Sequence, residues 1–209
     1  VKDYSYIGDK WGGKYLRAPD VYFKILEKGK DKFVNLGDIS KVCFGIKTGV
    51  NDFFYLDDEK VNAWQIEHEF LHAIIKSPRE CKGIIVKPEF LKYKIFVCNK
   101  SKEELKGKNA LKYIEWGESQ KTDKEIYWKD VPSVSGRKYW YSVGERAFCS
   151  FIVPCSFSDT FKIFKNSNVL VDKRMYEGYT ADSTITILLN SILFPLFMEL
   201  GTRVGLGEG

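Results

Sequence analysis

The sequence predicts an α+β fold, a mixed and largely antiparallel sheet with a few helices. Short runs rich in β-branched and aromatic residues recur along the chain, punctuated by Gly, Pro, Asn and Asp. Between them stand stretches whose apolar residues recur at helical spacing. Aromatic residues make up 15% and charged residues 29% of the 209, a composition that fills one domain's core and argues against disorder.

Taken in order, the N-terminal stretch alternates aromatic and polar residues. Val21, Tyr22, Ile25 and Leu26 share one face of a short helix, and residues 28–32 (KGKDK) form a solvated turn. Residues 41–46 and 52–56 read as strands around a loop, Lys47-Thr48-Gly49-Val50-Asn51. Gly45 and Gly49 bracket it and permit backbone conformations closed to other residues. Asp57 or Asp58 caps a helix starting near Glu59, with Val61, Trp64, Leu71, Ile74 and Ile75 on its stripe and Pro78 as its stop. Residues 83–87 and 94–98 (GIIVK, KIFVC) read as a strand pair joined through Pro88.

Ser101 and Glu104 have capping-box spacing, and a helix runs over residues 109–116 before Gly117 ends it. Residues 121–138 read as a long exposed loop. Residues 148–154 read as a strand, and 161–165 with 169–175 as a hairpin turning at Asn166-Ser167-Asn168. Residues 185–200 form the most apolar run. Asn190, Ser191, Pro195 and Glu199 interrupt it, and it falls short of the roughly 20 apolar residues of a membrane span. A buried helix is the expectation there, and no membrane.

The net charge of +5 permits a polyanionic partner without requiring one. The five cysteines (43, 81, 98, 149 and 155) are odd in number and lack CxxC spacing, which points to reduced thiols. The first residues, VKDYSYIGDKW, carry no apolar signal segment, so a cytoplasmic location is expected. A start without Met and the GLGEG end suggest a fragment of a longer protein.

Several motifs together carry a family resemblance. GIKTGVNDFFYL resembles the opening motif of target recognition domains in adenine-N6 DNA methyltransferases, the TaqI-type enzymes and the large fused restriction–modification proteins. WGGKYLRAPDVYFKI (residues 11–25) is similar to that family's lead-in from the catalytic domain. FLHAIIKSPR (70–79), RKYWY (137–141), VLVDKRMY (169–176) and LLNSILFPLF (188–197) resemble later family segments in the family's order.

The resemblance implies a methylase specificity-domain-like fold, with residues 1–32 as the lead-in and 33–209 as the recognition domain. It implies double-stranded DNA as partner, and an upstream methyltransferase domain in the same polypeptide. S-adenosylmethionine, with Mg2+ as a further candidate, would serve that parent protein and not this fragment. No Pro-Pro and no GxGxxG occurs, so the grip on a flipped adenine and the methyl-donor loop would lie outside this chain. The fragment alone is therefore not expected to be an enzyme; the parent would be an adenine-specific methyltransferase, with an endonuclease activity open.

Candidate DNA contacts are cations and amides interleaved with aromatics, since cations meet phosphates while Arg, Asn, Thr and Ser also read base edges. They form four groups: Lys47, Thr48 and Asn51; Lys76, Arg79 and Lys87; Arg137, Lys138, Tyr141 and Arg146; and Lys173 with Arg174. Lys47 is expected as a phosphate clamp and Arg137 as a base reader. A competing motif is His68-Glu69-Phe70-Leu71-His72, which matches HExxH. On a helix, its imidazoles would bind zinc and its glutamate activate water, making a zinc-dependent peptidase. Only these two histidines exist, so a third ligand would have to be a carboxylate such as Glu103 or Glu104. A protein-interaction or lectin-like β-rich domain is the third reading.

Overall fold

The computed structural model describes residues 16–157 and 160–201. The chain divides into two compact units. The larger is Lys41–Ala181, and the smaller joins the residues up to Ser40 with those from Asp182.

The larger unit is built on two four-stranded sheets. Sheet I has the order β1 (Lys41–Phe44), β8 (Met175–Tyr179), β5 (Phe151–Pro154), β6 (Phe164–Lys165), all antiparallel. Sheet II has the order β2 (Tyr55–Leu56), β4 (Tyr93–Phe96), β3 (Leu71–Ile75), β7 (Leu170–Val171), and only its β3–β7 pair is parallel. The mixed, largely antiparallel α+β expectation holds. Both sheets contribute to one apolar cluster, with Ile75 and Val171 from sheet II and Ile152, Phe164 and Met175 from sheet I.

A larger cluster packs helix α5 (Asn109–Ser119) against sheet II. Its hub is Phe53, in the helical turn α3 (Asn51–Phe54). The Phe53 ring stacks on Tyr113 at 4.9 Å and lies edge-on to Phe54 at 5.0 Å and Phe96 at 5.5 Å; Trp140 sits tilted against it at 4.5 Å. Gly117 stays inside α5 instead of ending it. A Cβ there would come within 2.8 Å of Phe53 and 2.9 Å of Trp140. Small size, not a turn, is what this glycine supplies.

Helix α4 (Asp58–Trp64) begins as expected, with the Asp57 carboxylate accepting from the Lys60 amide at 3.0 Å. It ends at Trp64, however, and Leu71–Ile75 is strand. A strand flanked on both edges and buried at Ile74 and Ile75 shows no alternation, so its apolar spacing imitates a helical stripe. Residues 52–54 are helical instead of extended, because the Val50 carbonyl accepts from the amides of Phe53 and Phe54.

Three further corrections concern pairing. Residues 83–87 form no strand with 94–98; they meet β6 through a single bridge, Ile85 to Lys165, while β4 pairs with β2 and β3. Residues 121–138 are no open loop, since Trp128 is buried and helix α6 (Pro132–Ser135) buries Val134. The turn at 166–168 forms, with Asn168 left-handed and Asn166 bonded to the backbone of Val169, but its two arms separate into different sheets.

In the smaller unit, helix α1 (Asp20–Gly29) buries Tyr22, whose ring meets Phe197 at 5.4 Å; Val21 is exposed. Phe197 lies in helix α8 (Leu193–Gly201), which follows helix α7 (Ile185–Leu189); a four-residue turn, α2 (Leu36–Ile39), precedes β1. The single buried helix expected over 185–200 is therefore two short ones, with Ile187, Leu188 and Ile192 exposed. No helix among the described residues is long and apolar enough to cross a membrane.

Candidate nucleic-acid interface

Two of the passages of the chain between the sheets lie side by side. Residues 45–54 lead from β1 in sheet I to β2 in sheet II, and residues 172–174 lead back from β7 to β8. Ile46 and Asp172 bridge in parallel; the Ile46 amide donates to the Val171 carbonyl at 2.7 Å, and the Lys173 amide to the Ile46 carbonyl at 3.0 Å. Gly45 is required by this closeness, because a Cβ would strike the Asp172 carbonyl oxygen. Gly49, at φ +84°, is the glycine in the left-handed region, and it rests against Val134 of α6.

Asp172 is the pivot. It is 3% exposed; one carboxylate oxygen accepts from the Tyr55 hydroxyl, and the other from the Arg174 backbone amide at 2.9 Å and its Nε at 3.2 Å. Burial and this carboxylate together push the Tyr55 hydroxyl far up from its ordinary pKa, so it stays a donor. The Lys76 ammonium lies 4.2 Å from the centre of the Tyr55 ring and 4.0 Å from that of Tyr93, a cation–π position. The Asp172 amide donates to the Ile75 carbonyl, which sets Lys76 beside the same crossing.

Arg137 shapes the loop. Its guanidinium donates to the carbonyls of Lys47 (2.9 Å), Thr48 (2.8 Å) and Ser142 (2.9 Å), and lies 5.5 Å from the Phe54 ring. Burial first, then the nearby Arg146 charge, lower its pKa from the ordinary arginine value. Thr48 is buried and its hydroxyl donates to Asn51 Oδ1 at 2.6 Å, while Lys47 and Asn51 are exposed. The loop is thus a braced segment and no free hairpin.

The structure therefore brings Lys47, Thr48, Asn51, Lys76, Arg137, Lys173 and Arg174 into one network, while Arg146, whose Nε donates to the Val143 carbonyl at 3.1 Å, lies close enough to Arg137 to act on its charge. Arg79, Lys87 and Lys138 are exposed outside it, the first on a 3-10 turn (Pro78–Glu80), the second ahead of another (Pro88–Phe90), the third beside Tyr139. Tyr141 is 2% exposed, with its hydroxyl donating to the Lys100 carbonyl, and belongs to the core. Among the described residues, the lysines with carboxylate partners (Lys94, Lys100, Lys102, Lys108, Lys121) lie elsewhere, and Lys47, Lys76 and Lys173 have none. Unpaired cations on a braced frame are what a polyanion needs. Sequence reasoning missed Tyr55 and Asp172, although a lone acid after Val169-Leu170-Val171 was a visible signal.

The HExxH pattern does not lie on one helix. His68 opens a 3-10 turn (His68–Phe70) and His72 stands in β3, so the one-turn spacing of two imidazoles is lost. Glu69 is held by Lys100 at 2.9 Å and by Lys108, and among the described residues no group of three or more His, Cys, Asp and Glu is placed to hold a metal ion. The five cysteines are free thiols; Cys98 and Cys149 are buried and Cys155 is exposed.

Proteins similar to this chain are, by name, a type II methyltransferase and a type IIG restriction endonuclease. The chain is 27% identical over 143 residues to "Type II methyltransferase M.AccI" of Acinetobacter calcoaceticus, covering 66% of this chain and 24% of that protein. The crystal structure of the type IIG restriction endonuclease BpuSI contains a similar fold, with a TM-score of 0.64 at 12% identity over 87% of this chain and 23% of that one. The chain thus spans about a quarter of the length of either. The family model described as "Type II methyltransferase M.Eco57I, C-terminal domain" matches residues 8–204, and the chain belongs to that family.

Proposed function

We propose that this chain is the sequence-specific double-stranded DNA recognition module of a restriction–modification adenine-N6 methyltransferase, and that it positions the target adenine for a catalytic domain in the same polypeptide. The observation that carries this reading is the convergence of cations without carboxylate partners among the described residues, Lys47, Lys76 and Lys173, where two of the inter-sheet crossings run together. Family membership and the names of the relatives support it. Residues 1–32 would lead in from the catalytic domain, which would bind S-adenosylmethionine.

Within the module, Lys47, Lys76, Arg146, Lys173 and Arg174 take phosphates and set register, with Arg79, Lys87 and Lys138 extending the track. Asn51, exposed at the loop tip, presents an amide to base edges. Arg137 holds the loop in the shape that presents both.

The test is equilibrium binding of the full-length parent protein to random and cognate duplexes across a salt series. Lys47→Ala and Lys173→Ala should each weaken binding to every sequence and lower the salt slope by about one unit. Asn51→Ala should cost about 1–3 kcal/mol on the cognate duplex alone. Wild-type slopes and affinities in all three variants would place the DNA-facing surface elsewhere on the molecule.

A further inference from the structure

We propose that Phe44, backed by Tyr176, is an aromatic wedge that stacks on nucleic-acid bases while the neighbouring cations hold the phosphates. The inference rests on the DNA-recognition reading and adds to it a contact with the base stack itself.

Phe44 is 61% exposed, on the strand that forms the outer edge of sheet I. Its neighbour across the ladder is Tyr176, with ring centroids 4.6 Å apart and planes inclined by 33°. Alternation along β1 turns Cys43 inward, towards buried Glu177, and leaves Val42 and Phe44 outward, with Val42 42% exposed. Single exposed apolar residues are ordinary. A tilted aromatic pair continued by a second exposed apolar residue on one strand face is a surface with a direction.

What covers that face is indicated by its neighbours. Phe44 is followed by Gly45 and Ile46, locked into the crossing, and then by exposed Lys47; Tyr176 is preceded within three residues by exposed Lys173 and Arg174. Phe44 and Lys47 are three residues apart, so their Cα atoms are separated by at most about 10 Å. A groove of B-DNA is about 7.5–8.5 Å deep, so a cation at a phosphate and an aromatic at the base stack are separated on that scale. A protein partner would be expected to meet an apolar face with an apolar face, whereas this one is bordered by three cations, of which Lys47 and Lys173 have no carboxylate partner among the described residues and Arg174 is paired with Asp172.

The mounting is also rigid. The Gly45 amide donates to the Met175 carbonyl at 3.0 Å, at the end of the four-residue antiparallel ladder that pairs Phe44 with Tyr176. Proteins that insert apolar side chains such as Phe between base steps unstack those steps and kink the duplex. A methyltransferase acting on a base must extrude it from the stack, which leaves unstacked neighbours for an aromatic face to meet.

The experiment uses the full-length parent protein and duplexes carrying 5-iodouracil at successive positions, irradiated and analysed for the crosslinked peptide. Crosslinks at Phe44 or Tyr176 are expected, and crosslinks confined to other segments would overturn the proposal. In parallel, Phe44→Ala should weaken duplex binding about five- to a hundredfold with the salt slope unchanged, and Phe44→Trp should retain binding. Thermal unfolding of Phe44→Ala should match wild type, because the side chain is mostly in solvent. Affinity within twofold of wild type for Phe44→Ala sinks the wedge while leaving DNA recognition standing. Failure of the wild-type protein to bind any duplex sinks both. A shift in the sedimentation of the DNA-free protein on Phe44→Ala would make this face a protein interface instead.

Discussion

The aromatic core under α5 and the crossing at Asp172 are both buried, yet they are held by opposite means. Around Phe53 the contacts are rings on rings, replaceable in principle by any side chains of equal volume. Around Asp172 they are directional: a hydroxyl, an amide and a guanidinium each aimed at one carboxylate. The first arrangement fixes how tightly the unit packs. The second fixes where the chain ends of both sheets, and hence Lys47, Lys173 and Arg174, are pointed. Stability and recognition are thus expected to respond to different residues.

The largest effect should come from the core. Phe53→Ala removes the ring at the centre of the aromatic cluster and should lower unfolding free energy by about 3–5 kcal/mol, read from urea denaturation. DNA affinity per folded molecule should change little, because no cation is braced by this ring. A loss of affinity as large as the loss of stability would break the contrast.

Arg137→Ala should show the reverse balance. Three carbonyls lose their donor, so stability should fall by about 1–3 kcal/mol. The amides of residues 47–51 should exchange with deuterium faster, and affinity for all duplexes should drop with the loop's order. Arg137→Lys should not restore it, since a point ammonium cannot serve three carbonyls as the planar fork does. Protection of 47–51 unchanged in Arg137→Ala would show that the loop is held by α6 alone.

These two regions also differ in how far the sequence revealed them. The Asp57 cap of α4 and the helical run over residues 109–116 are local patterns, and both helices form there. The Ser101–Glu104 capping box forms too, with bonds of 2.8 and 3.3 Å, but it closes a turn and no helix. Some strands were recognisable as runs, β3 and β8 not among them, whereas the partners of none were. Cys43 finds Glu177 134 residues away, and no local signal encodes that choice. The same holds for the candidate site. Each cation could be named from its neighbours in sequence, but their convergence depends on two crossings lying side by side. Arg137 looked like a base reader because a surface arginine and a bracing arginine have the same sequence context.

The smallest expected effects, and the sharpest, come from two carboxylates shifted in opposite directions. Glu67 sits where α5 begins and accepts from the amides of Asn109 at 2.7 Å and Ala110 at 3.1 Å, serving as a cap from a distant segment. Burial pushes its pKa up, but the amide bonds outweigh that and hold it below the usual carboxylate value. A depressed folded pKa means stability that is present above the unfolded pKa, about 4.3, and lost as pH falls through the folded one. Glu67→Gln should therefore cost about 1 kcal/mol near neutrality and progressively less in acid. Glu177, 1% exposed on β8, is raised by burial, against which the Tyr179 hydroxyl and the Arg146 charge work. Its raised pKa means stability that is present below the unfolded value and lost as pH rises through the folded one. Glu177→Gln should accordingly gain on wild type as pH rises. The measurement is the urea midpoint of wild type and both variants from pH 7 down to the lowest pH at which the protein folds. Differences of opposite slope are expected. Parallel slopes would mean that Glu177 is paired as fully as Glu67, and that the interior of sheet I beside the crossing carries no unrelieved charge.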